Sequence, residues 1–222
     1  MRFHWGEFPE DKRFNPEAEG WVALPDTKPG TVHLLALRAS VGLFLLWLPL
    51  AFLAFPPELL SPHVTQISNN KLQIQFPIYE TLTWPLLAGL IVIFILFFPA
   101  HEFLHAFCCP GWGLSANTIF GLWLSKGFFY IHHEGPMRRN RFLWVLSAPY
   151  FVLSLLPLAM MTLLKWLGWT PEIMISLGWL SLLGSIFAGG DFVSARSLLS
   201  QVPKTAVVRN QGQSSYWKPA AH

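Results

Sequence analysis

The chain has 222 residues, 53% of them hydrophobic and only 12% charged, about half the charged share of an ordinary soluble domain. With a mean hydropathy of +0.42, that excludes soluble globular, coiled-coil and disordered classes. A net charge of +3, with no basic run threaded by aromatics, excludes a nucleic-acid surface.

The first thirty residues are polar and interrupted by Pro9, Pro16, Pro25 and Pro29. They do not fit a secretory signal and predict a cytoplasmic N-terminal tail over residues 1–38. An apolar stretch over residues 39–55 is just long enough to cross the roughly 30 Å hydrocarbon core of a bilayer, and Pro56-Pro57 ends it. The loop beyond contains Lys71-Leu-Gln-Ile-Gln-Phe-Pro-Ile78, whose alternation predicts a strand. A second span over residues 84–109 stops at Pro110-Gly111. Two apolar runs, 118–124 and 128–132, flank Ser125-Lys126-Gly127 and predict a β-hairpin at the inner leaflet, with a re-entrant helix as the alternative. The third span covers residues 142–166, a tight turn over 168–171 follows, and the fourth runs over 173–199. Eleven Trp and nineteen Phe suit such a chain, because aromatic rings settle at the headgroup level.

Thirteen of the fifteen Lys and Arg precede span one, lie between spans two and three, or follow Asp191. Basic residues gather on the cytoplasmic side, so both termini are predicted there. Lys71 is left outside, and Lys165 sits at a span end where it can snorkel. The sum is an all-α integral membrane protein with four transmembrane helices over 39–199 and a small hairpin in the loop between spans two and three. Residues 200–222 make a cytoplasmic C-terminal tail.

Span two carries His101-Glu102-Phe-Leu-His105, an H-E-x-x-H pattern. On a helix, residues four apart share a face, so both imidazoles can bind one Zn²⁺ while the neighbouring glutamate activates water. The bland alternative is a pair of polar groups hydrogen-bonded inside a bundle, but ionisable groups in a span are costly without a purpose. A catalytic zinc needs a third protein ligand and an open position. The longer metzincin pattern fails, because Cys108 stands at its glycine and Gly111 at its third histidine. Cys109 shares the His105 face, yet ligands at i, i+4 and i+8 spread over about 12 Å of helix. The two adjacent cysteines cannot form a disulfide framework and read as packing at the membrane edge. Asp191 matches better: His101 lies about 26 Å of helix after Trp84, and Asp191 about 27 Å after Ile173, so both reach the same depth. Gly189-Gly190 before it would let span four approach span two closely. A helix-end carboxylate in cytoplasmic water is the alternative for Asp191. His132, His133 and Glu134 form a second polar cluster, able to supply a ligand or assist a transition state but read first as the hydrated end of a strand.

These residues carry a family resemblance. His-Glu-Phe-Leu-His in a transmembrane helix with a distant Asp191 looks like the site-2 protease type of intramembrane metalloprotease, and more closely resembles the zincin peptidase family of bacterial membrane proteins. The resemblance covers roughly residues 84–217, through the HEFLH helix, Ser147-Ala-Pro149, Gly189-Gly-Asp191 and Val202-Pro-Lys-Thr-Ala-Val-Val208. It implies His101, His105 and Asp191 as zinc ligands, Glu102 as the catalytic residue, a metallopeptidase-like membrane domain, a bacterial plasma membrane location and membrane-associated peptide or protein substrates. The chain departs from the site-2 pattern, in which a glycine follows the aspartate; here the glycines precede it. Two other functions are weighed. A di-iron lipid oxidase would use His101 and His105 as an H-x-x-x-H box, though it needs more histidines on the same side. A non-catalytic scaffold or transport component would keep the polar site for assembly.

Overall fold

The computed structural model describes residues 1–24, 29–60, 63–68, 71–75, 78 and 82–220. Its elements, in chain order, are strands β1 (Arg2–Trp5) and β2 (Val22–Ala23), helices α1 (Pro29–Ala54) and α2 (Pro57–Leu60), and strands β3 (His63–Ser68) and β4 (Lys71–Gln75). Helix α3 (Trp84–Cys108) leads into β5 (Thr118–Trp123), β6 (Phe128–His133) and β7 (Met137–Arg138). Helix α4 (Arg139–Tyr150) continues through a π-helical turn, Phe151–Leu155, into α5 (Leu156–Leu167). Helices α6 (Pro171–Phe187) and α7 (Gly189–Gln201) precede the hairpin β8 (Ala206–Gln211) and β9 (Ser214–Pro219).

Among the described residues, three helical stretches, His33–Ala54, Trp84–Cys108 and Arg139–Leu167, are long and apolar enough to cross a bilayer, and the pair α6–α7 makes a fourth if taken as one bent span. Their sequences are apolar all round, which leaves no polar face for water. Polar groups between them are paired instead. Trp47 Nε1 donates to Ser181 Oγ (2.8 Å), Ser181 Oγ donates to the Ser154 carbonyl in the π turn (2.8 Å), and Trp179 Nε1 donates to the Leu90 carbonyl (3.0 Å). Such bonds satisfy polar groups that the packed apolar helices would otherwise bury unpaired. Lys165 Nζ reaches the Leu53 and Phe55 carbonyls at the end of α1, where a cation meets the negative end of the helix dipole.

The all-α expectation is too narrow. Among the described residues, three small sheets accompany the helices, with strand orders β1-β5-β6, β2-β9-β8-β7 and β3-β4. The hairpin expected at 118–132 forms as antiparallel β5–β6, closed by Gly127 at φ +70°, and the re-entrant helix is set aside. Neither terminal segment is a bare tail. Arg2–Trp5 pairs in parallel with Ile119–Leu122, and Ser214–Pro219 returns antiparallel on β8 while also pairing with β2. The first helix begins at Pro29, ten residues before the expected start. A shared core of Leu24, Met137, Phe142, Leu198, Ala206 and Val208 joins the second sheet to the helix ends. N-terminal segment, central hairpin and C-terminal hairpin thus gather at one end of the bundle.

The fourth span differs most from its sequence picture. It bends by 46° between Phe187 and Gly189. A Cβ on Gly189 would collide with the Ala36 carbonyl and Ser40 of α1, whereas Gly190 has open space around its Cα. The glycine contact therefore serves the first span, not the second as expected. Helices can approach this closely only where a side chain is missing.

Candidate metal centre

His101 and His105 lie one turn apart on α3, and both are buried. The bend at Ala188 makes Asp191 a first-turn residue of α7, where the positive end of the helix dipole favours a carboxylate. The three side chains converge. His101 Nε2 stands 3.2 Å from His105 Nε2 and 3.2 Å from Asp191 Oδ2, and His105 Nε2 stands 3.4 Å from Asp191 Oδ1. Four tetrahedral donors at zinc's ordinary 2.0–2.1 Å lie about 3.3–3.4 Å from one another. The observed spacing fits one zinc-sized ion.

The tautomer of one ring follows from its partner. His105 Nδ1 faces the Val145 carbonyl oxygen at 2.7 Å; a carbonyl only accepts, so Nδ1 carries the proton and neutral His105 leaves a lone pair on Nε2. That lone pair, a second imidazole nitrogen and a carboxylate crowd a small buried volume, an arrangement that a cation stabilises. His101 Nδ1 and Asp191 Oδ2 are buried with no hydrogen-bond partner among the described residues. Glu102 completes a donor cluster with His101 and His105, all within 4.8 Å of one another, that could hold a metal ion. Ile131 of strand β6 lines the same cleft as Glu102. Arg141 holds α4 against the end of α3 by donating to the Cys108 and Cys109 carbonyls at 3.0 and 2.9 Å.

These groups lie along a cleft of about 480 Å³ whose other walls include Phe8, Phe129, Tyr130, Ile131 and His133. Strand β6 is at the edge of its sheet and presents that edge to the cleft. Cys109 is packed in the apolar core, as expected of an inert thiol.

The second polar cluster is not a hydrated strand end. His132 and His133 are only 2% and 4% exposed, because the N-terminal segment folds over the hairpin and places Phe8 beside Tyr130 and His132. Thr118 Oγ1 bonds His133 Nδ1 at 3.0 Å, and Arg2 pairs with Glu134. Sequence reasoning missed this cover, since it depends on pairing Arg2 with Ile119 across more than a hundred residues. It also missed Val145, whose role lies in a backbone atom and leaves no trace in residue type.

Burial, aided by nearby His133, Arg209, Arg2 and His4, pushes the His132 imidazole down to about 4. Folded His132 then stays neutral while an unfolded imidazole protonates near 6.5. Stability present above pH 6.5 is therefore lost as the pH falls toward 4, by on the order of 3 kcal/mol. Thermal melts from pH 7 to 4.5 should show that fall, and His132→Gln should make it shallower, leaving the part contributed by His133, whose imidazole burial also pushes down; an equally steep fall in the variant would contradict the assignment.

A largely helical chain with apolar helices long enough to span a membrane and an H-E-x-x-H helix facing a partly buried carboxylate has the features of a metallopeptidase. A family model described as "Putative zincin peptidase" matches residues 94–207, just over half of the chain, and the protein belongs to that family. No curated protein and no solved structure matches the chain.

Proposed function

We propose that this protein is a membrane-embedded zinc peptidase that hydrolyses peptide bonds of membrane-associated substrates near the cytoplasmic leaflet, with His101, His105 and Asp191 as zinc ligands. The observation that carries this is the convergence of those three donor groups at near-tetrahedral spacing beside Glu102. Zinc bound there would polarise the scissile carbonyl and lower the pKa of a coordinated water to about 7. Glu102 takes the proton of the attacking water on its carboxylate and returns it to the leaving amine. The edge of β6 receives the substrate as an added strand, because a helix hides its backbone and must unwind before attack.

Membrane insertion is supported by the outer faces of the helices. Leu45, Phe52, Ile91 and Ile95 are each at least 60% exposed, a surface that water would not tolerate over several helices. Trp84, Trp166 and Trp169 are exposed near one end of the spans and Trp112 and Trp144 near the other, in the manner of interfacial belts. The gathering of thirteen of the fifteen Lys and Arg on one side supports cytoplasmic termini. Among the described residues the donor cluster holds two imidazoles, and His132 and His133 stand outside it, which favours one zinc over two irons.

The purified protein in liposomes should cleave a membrane-associated peptide reporter. 1,10-Phenanthroline should stop the cleavage, and added zinc should restore it. Cleavage that survives complete zinc removal would contradict the proposal.

A further inference from the structure

An imidazole that binds a metal through one nitrogen is oriented by the hydrogen bond made at the other. Here that bond runs from His105 Nδ1 to the Val145 carbonyl. Val145 lies inside α4, where a carbonyl is normally taken by the N–H four residues further on. Four residues after Val145 is Pro149, within the same helix and with no N–H to give. The proline ring also crowds the carbonyl four residues before it and tilts it away from the helix axis. Pro149 is fully buried, and the backbone after it widens into the π-helical turn Phe151–Leu155.

We propose that Pro149 is a positioning residue of the metal centre. Its missing N–H leaves the Val145 carbonyl free to fix His105 as the tautomer whose Nε2 points at His101 and Asp191. This rests on the zinc assignment made above. Among the described residues it is the one such bond: His101 Nδ1 is buried with no hydrogen-bond partner, so the pair depends on the Val145 carbonyl for its orientation.

Restoring an N–H at position 149 should pull the carbonyl back into the helix ladder and loosen His105. The full-length protein in nanodiscs, titrated with zinc against a chromophoric chelator, reads this directly. Pro149→Ala should bind zinc about 10–100-fold more weakly, the range for losing a supporting hydrogen bond, with helix content unchanged. A second variant carries lactic acid at position 149, an ester that removes both the ring and the N–H, and it should keep the wild-type affinity to within about fivefold. Pro149→Ala within fivefold of wild type would overturn the proposal. So would an ester variant as weak as Pro149→Ala, since packing by the ring would then be the cause. Wild-type protein that binds no zinc would instead overturn the zinc assignment, and this inference with it.

Discussion

Glu102→Gln should lower hydrolysis by about 10²–10⁴-fold while leaving zinc bound, because that is what a positioned general base contributes and glutamine cannot take a proton. Glu102 sits on α3 between the two histidines in sequence but one residue round the helix from His101, so its carboxylate flanks the donor set. It lines the cleft together with Ile131 of β6. Gln keeps the shape and an acceptor oxygen, which isolates the loss of basicity. Activity and zinc content measured on the same preparation check the outcome. Zinc lost along with activity would make Glu102 a ligand, and activity retained within tenfold would remove it from the chemistry.

Asp191→Ala should lose zinc and activity together. The carboxylate supplies both oxygens facing the imidazoles, at 3.2 and 3.4 Å, and it is the only acid that the last span brings to the cleft. Two imidazoles alone leave a zinc site short of its usual three protein ligands. The fall in affinity should therefore exceed the about 10–100-fold cost of losing a supporting hydrogen bond. Asp191→Asn keeps size and one oxygen, and should fall between wild type and Asp191→Ala. Competition titration with a zinc chelator measures all three proteins. An Asp191→Ala protein with wild-type affinity would move the third ligand elsewhere.

Much of the helical frame was legible because its signals are local. Pro110-Gly111 ends α3 just past Cys108 and its cap Cys109, and Ser125-Lys126-Gly127 closes the hairpin between two apolar runs. The spacing of His101 and His105 follows from helical geometry alone. The bend at Ala188 was not legible. It depends on Gly189 seating against Ala36 and Ser40 of α1, a contact 150 residues away in sequence, and two glycines are compatible with a straight helix too. The depth estimate for Asp191 assumed that straight helix; the bend instead places Asp191 in the first turn of α7. The burial of His132 and His133 was hidden for the same reason, since Phe8 and β1 cover them only after long-range pairing. The C-terminal hairpin did leave a trace in its turn glycine, Gly212, which takes φ +56°. Its strands need β7 and β2 as neighbours, and those are only two residues long.

The central claim is one zinc ion held by two imidazoles and a carboxylate. Zinc-edge X-ray absorption on the purified, reconstituted protein tests it most directly. The expected result is about one zinc per chain in a shell of nitrogen and oxygen donors at about 2.0–2.2 Å, with scattering from two imidazole rings that drops to one in His105→Ala. A protein that purifies with two irons, or a zinc shell containing sulfur from Cys108 or Cys109, would contradict it.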